Sequence, residues 1–313
     1  MEAAPYHLDL AEAPPQTRAV WAQASDGLNI RIALTPVEGA KGTILIFPGR
    51  TEVVEKYGRV SARLANAGWA SASIDWRGQG LADRMLDDPS IGHVEKFPDY
   101  QMDVAAYEQI VRAQLPGPYM LLGHSMGGAI GLRALLQGID VRAAAFSAPM
   151  WGIAMPPLQK PFNHALSFLM QKTGFGAQRA PTTPVEAYVL ESPFEGNTLT
   201  GDPADWEYMK RQLEAVPGLR LGGPSIHWLR EAIAECRWLL SRTPRDLPIL
   251  TGMGSNEAIV SKSAIRQRMS LWPRGEFLEI AGAQHELLME LPEIRDLFEA
   301  QMLRLFDSNL DNV

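Results

Sequence analysis

A serine stands among glycines in the run Gly123-His124-Ser125-Met126-Gly127-Gly128, with the apolar stretch PYML before it and the small-residue segment AIGLRALLQ after it. Such a run is a strand-to-helix turn. Lifting one side chain clear of a sheet strains the central residue and leaves no room for bulky neighbours, which is why glycines surround it. Ser125 then opens a helix, where first-turn amides have no helical partner and can hold an oxyanion. The chemistry implied is attack of a hydroxyl on a carbonyl carbon.

Serine is a weak nucleophile at neutral pH and needs a histidine to take its proton. Of the six histidines, His285 directly follows the apolar run EFLEIAG and precedes the last helix, which puts it on the required sheet edge. His7 lies in the leader, His93 in a long loop, and His164 and His227 in a segment rich in Pro, Met and aromatics. His124 is expected to pack beside the turn, pointing away from Ser125. The imidazole in turn needs a carboxylate to fix its tautomer. Glu257, in LPILTGMGSNEAIV, lies just past a strand and gives the chain order serine, acid, histidine, whereas Asp246 precedes that strand and falls at the opposite edge. Two main-chain donors are expected for the oxyanion: the amide of Met126, and that of Arg50 in the turn FPGRTE after TILIF.

These groups need a scaffold that brings distant segments to one edge. AVWAQA and LNIRIALTP flank Asp26-Gly27, a two-residue hairpin turn. TILIF, ASASID, PYMLLG, VRAAAFSAP, LPILTG and EFLEIAG read as strands separated by helical segments, the last of them running from about Glu286 to Phe306. Strands alternating with helices of that length mean right-handed crossovers and a mostly parallel sheet covered on both faces. The hairpin adds an antiparallel edge. From Met150 to about Arg237 the alternation stops and short helices follow one another without strands. We therefore expect a core from 1–150 and 238–313 and a helical cap from 151–237 over the carboxyl edge, where open α/β sheets bind ligands. Trp151 and Met155 are the expected pocket-lining residues of that cap.

Composition narrows the function classes. The chain has 313 residues, 46% of them hydrophobic and 21% charged, enough to bury a large core. A net charge of −7 gives no basic stripe for nucleic acid. One cysteine, Cys236, allows no intrachain disulfide and suits a reducing compartment. The acidic leader does not look like a secretion signal, and no run is long enough to cross a bilayer, so the expected location is cytoplasmic, with at most transient contact with a membrane surface. The histidines and carboxylates lack metal-ligand spacing on any shared element, and no glycine-rich phosphate loop is present, so no metal or cofactor is expected.

GHSMGG, FPGRTE, DWRGQG, GHVEKFPDY, GSNEAIV and GAQHELLME together, in that family's order and over nearly the whole chain, resemble the α/β-hydrolase serine hydrolases that include monoacylglycerol lipases and bacterial lysophospholipases. Relatives usually carry aspartate where this chain has Glu257, and His-Gly-x-Gly where it has Pro48 to Thr51. The resemblance implies an α/β-hydrolase fold with a lipid-handling cap and a monoacyl ester substrate, such as a lysophospholipid or monoglyceride. The Arg50 guanidinium is then read as a surface ion-pair partner, with a lipid phosphate as the alternative. The same scaffold also hosts small-ester and thioester hydrolysis, epoxide opening, carbon–carbon cleavage and silent binding proteins. Serine at the nucleophile position argues against epoxide opening, and three triad groups in order argue against a silent scaffold.

Overall fold

The computed structural model describes residues 2–154 and 176–310. Nine strands form one sheet: β1 Ala3–Ala4, β2 Arg18–Gln23, β3 Asn29–Thr35, β4 Thr43–Phe47, β5 Ala70–Asp75, β6 Tyr119–His124, β7 Ala144–Ser147, β8 Ile249–Gly254 and β9 Gly275–Ile280. Their order is β1-β2-β3-β5-β4-β6-β7-β8-β9. The first three strands pair antiparallel, β3 runs antiparallel to β5, and the six from β5 to β9 are parallel. β4 and β5 are buried along their whole length, as strands covered on both faces must be.

Helices α1 Leu8–Ala11, α2 Gly58–Asn66, α3 Tyr100–Gln114 and α4 Ser125–Gln137 precede the expected cap; α5 Tyr188–Glu191, α6 Pro203–Ala215 and α7 Ile226–Leu240 lie within or across it; α8 Lys262–Met269 and α9 Pro292–Asp307 follow. Two apolar clusters cover the sheet's faces, one centred on Phe47, Trp76, Tyr107 and α4, the other on Tyr57, Trp69, α6 and α9. The last helix begins at Pro292 rather than near Glu286, because a proline is suited to the first turn and residues 287–289 form a separate 3-10 turn. Strand β1 was not expected, since two residues carry no alternation to read.

The chain leaves β4 for β5 on one side and returns to β6 on the other, which opens a crevice beyond the carboxyl ends of β4 and β6. Phe47 and Gly123 are register partners there, so the turn after β4 and the serine turn emerge side by side. At the next edge β8 and β9 pair through Gly254 and Ile280. Their following loops are tied by Ser255 N–H to Ile280 O (2.9 Å) and Asn256 N–H to Ala283 O (3.0 Å).

The described elements between residues 176 and 240 pack against the rest of the chain at two places. On one side Tyr208 of α6 donates its hydroxyl to Ala11 O at 2.7 Å, and Arg59 bridges Asp205 (2.6 Å) and Glu12 (2.8 Å). On the other, α7 packs into the same cluster as α4, and Arg133 forks onto Glu235 at 2.6 and 2.7 Å in a buried pair.

Candidate active site

Ser125 sits at φ +49°, in the left-handed region that side-chain-bearing residues seldom occupy. The geometry is affordable only with glycine beside it. A Cβ on Gly127 would lie 1.9 Å from Phe47 O, and one on Gly123 would press on Gly127 and Gly128 at 3.0–3.1 Å. The helix that Ser125 opens has no side-chain cap, so its first-turn amides, that of Met126 included, have no partner in the helical ladder. A Cβ on Gly49 would lie 3.1 Å from Ser125 Cβ, which puts the turn after β4 directly against the serine.

His285 and Glu257 are joined across the two zipped loops: Nδ1 of the imidazole is 2.7 Å from Oε2 of the carboxylate, and both residues are buried. The other carboxylate oxygen accepts the amides of Ile259 (2.6 Å) and Val260 (3.0 Å). Burial alone would raise the Glu257 pKa, but the hydrogen bond and charge of His285, with those two amides, outweigh it and hold the carboxyl below its ordinary value. Glu257 therefore stays an acceptor towards the Nδ1–H of His285.

Ser125, His285 and Arg50 line a cavity of about 340 Å³. Its far wall is apolar and comes from the cap, through Ala187, Tyr188, Val189, Leu199, Met209 and Leu213. Trp151 is not in that wall. It is fully buried, donates its indole N–H to Gly128 O at 3.1 Å and packs edge-on against Phe146, so its place is the core under α4. Met155 lies outside the described residues. In place of the expected surface ion pair, the Arg50 guanidinium donates to Gly222 O at 3.0 Å and lies over the Trp228 ring at 5.5 Å, tying the turn after β4 to α7 and the segment before it. Burial lowers its pKa to about 10, which still leaves it charged at neutral pH.

Sequence reasoning missed a buried ionic cluster at the cavity floor. Lys56 pairs with Glu52 and, at 2.8 Å, with Glu286, while Tyr57 donates its hydroxyl to Glu52 at 2.7 Å. His124, expected to pack beside the turn and away from Ser125, belongs to this cluster, with its ring centroid 4.8 Å from that of His285. Its Nδ1 donates to Ser147 O (3.0 Å), and its Nε2 stands 3.3 and 3.4 Å from Glu286 and Glu52, near enough for ion pairing but not aligned for a hydrogen bond. Glu52, His124 and Glu286 have the donor types of a cation site, but the Lys56 ammonium already supplies their cation. His93 is structural, with Nδ1 2.8 Å from the Ser225 hydroxyl that caps α7.

The cluster has a pH signature. Burial opposes charge on both His124 and Glu286, but their mutual attraction dominates, with Lys56 adding to the effect on Glu286; the imidazole is held above its ordinary 6.5 and the carboxyl well below 4.5. A depressed carboxyl adds stability that is present above its unfolded value and lost as pH falls through the folded one. A raised imidazole adds stability that is present below 6.5 and lost as pH rises through its folded value. The contribution is thus complete only from about pH 4.5 to about 6.5. The Tm difference between wild type and His124→Asn should be largest in that window and shrink towards alkaline pH; a difference independent of pH would show that His124 is not charged in the fold.

The chain matches the serine aminopeptidase S33 family over residues 38–292. It is 31% identical over 290 residues to lysophospholipase L2 of Escherichia coli K12, covering 87% of this chain and 82% of that protein. It is 27% identical over 281 residues to the probable lysophospholipase L2 of Haemophilus influenzae, covering 85% of each. Among solved structures, a soluble variant of the monoglyceride lipase of Saccharomyces cerevisiae, in complex with a substrate analogue, superposes with a TM-score of 0.71 at 18% identity over 97% of this chain and all of that one.

Proposed function

Since the chain belongs to the serine aminopeptidase S33 family of α/β-hydrolases, we propose that it is a serine ester hydrolase that cleaves monoacyl lipids. Ser125 Oγ attacks the ester carbonyl as His285 Nε2 takes its proton. The amides of Arg50 and Met126 receive the tetrahedral oxyanion, and the imidazolium, steadied by Glu257, returns the proton to the leaving alcohol. Water then enters by the same route in reverse and releases the fatty acid. The observation that carries this reading is the 2.7 Å bond between His285 and Glu257 beside the cavity that Ser125 lines.

The substrate class is supported by the apolar cap wall, which suits one acyl chain, and by relatives described as lysophospholipases. An aminopeptidase would need a spare carboxylate to hold the substrate's ammonium. Among the described lining residues Glu52 and Glu286 already share Lys56, which favours the ester reading over peptidase chemistry. The test is a panel of monoacylglycerols, lysophospholipids and simple alkyl esters of graded acyl length, with aminoacyl amides as the peptidase arm. kcat/KM should rise with acyl length, by up to about fourfold per methylene at about 0.8 kcal/mol each, until the cavity is filled. Preference for acetyl esters, or turnover of the amides alone, would overturn the lipid assignment. Equal rates on phosphorylated and neutral monoacyl substrates would show that head-group charge is not read.

A further inference from the structure

The segment DWRGQG runs on from the last residue of β5, and Gln79 within it does not line the cavity, yet it is 2% exposed and buries a primary amide against the turn after β4. Its Nε2 donates to Gly49 O at 2.9 Å and to Glu52 O at 3.0 Å, and its Oε1 accepts the Thr51 amide at 3.4 Å. One side chain therefore grips three groups within four consecutive residues. The turn needs such a grip, because Thr51, a β-branched residue, is held at φ +67°. From the other side the Glu52 carboxylate accepts the Gly49 amide.

These contacts fix the plane of the Gly49–Arg50 peptide. In a trans peptide the C=O and the following N–H point in opposite directions. With Gly49 O turned to Gln79, the Arg50 N–H faces away from Gln79, and the turn lies against Ser125 on the cavity side. Without the Gln79 amide the plane is free to rotate, and the donor leaves the line to the oxyanion.

We propose that Gln79 is a positioning residue that aims the Arg50 amide at the oxyanion. The inference rests on the reading of Ser125 as nucleophile and of the Arg50 amide as a donor. Two variants test it. Gln79→Leu removes both hydrogen-bonding ends; Gln79→Glu keeps the shape and the acceptor but, when ionised, cannot donate to Gly49 O or Glu52 O.

In both, kcat should fall about a hundredfold, the usual effect of losing one oxyanion donor, while KM stays within about twofold. Affinity for a trifluoromethyl ketone, whose adduct with the serine bears the oxyanion, should weaken by a similar factor, while affinity for the fatty acid product stays unchanged. The activity of Gln79→Glu relative to wild type should rise as pH falls, because the protonated carboxyl can donate again. If Gln79→Leu does not fold, the isosteric Gln79→Glu decides. A folded variant that keeps kcat within about threefold, or that loses affinity for ketone and product alike, overturns the inference while leaving the hydrolase reading intact. Failure of a fluorophosphonate to label Ser125 in the wild type overturns the hydrolase reading, and this inference with it.

Discussion

Ser125→Ala is expected to lower kcat about a millionfold on the best monoacyl ester, with the fold intact and KM little changed. The size follows from the role. Without Oγ there is no acyl-enzyme, and what survives is the background from main-chain donors acting on a bound ester attacked by water. Alanine has room at this position, since the turn's strain belongs to the backbone at φ +49° and not to the hydroxyl. Circular dichroism and Tm close to wild type would show that the loss is chemical. A variant keeping more than about a hundredth of the activity would mean that another group attacks the substrate.

Glu257→Gln should cost about ten-thousandfold in kcat, for a reason readable from the hydrogen bonds. One carboxylate oxygen accepts the amides of Ile259 and Val260, and the other faces His285 Nδ1 at 2.7 Å. A glutamine that keeps its carbonyl on those two amides must turn its NH2 towards the imidazole. Nδ1 then becomes an acceptor, the ring proton moves to Nε2, and Nε2, the proposed base, can no longer take a proton. Shape is kept and the tautomer is lost. The measurement is kcat at neutral pH, together with the imidazole ¹⁵N shifts that report which nitrogen carries the proton. A loss below about tenfold, or an unchanged tautomer, would remove Glu257 from the role assigned to it.

Much of the scaffold was legible because its constraints are local. Glycines at 123 and 127 are required by contacts with the adjoining backbone, and the apolar runs of β4 and β6 are nearly continuous because both faces are covered. Glu257 and His285 were legible because each follows the end of an apolar strand, and adjacent parallel strands release their loops at the same edge. What was not legible depends on packing between distant segments. Trp151 beyond a strand end reads as cap or core; only the packing of its ring on Phe146 and its bond to Gly128 O put it beneath α4. His124 was expected only to pack beside the serine turn, and nothing local says that Glu286, 162 positions later, would meet it at 3.3 Å. Gln79 gave no signal of its own, because its three partners lie in a turn whose shape no local pattern describes. Arg50 offered a charge to interpret, and a cap carbonyl took it.

The central claim is that a hydroxyl made nucleophilic by this particular imidazole performs the reaction. Treating the native chain with a fluorophosphonate, digesting it and locating the adduct by mass spectrometry tests that claim most directly, with His285→Ala run alongside. A single stoichiometric adduct on Ser125 is expected, formed at least about a thousandfold more slowly in the histidine variant. An adduct on any other residue, or equal labelling rates with and without the imidazole, would contradict it.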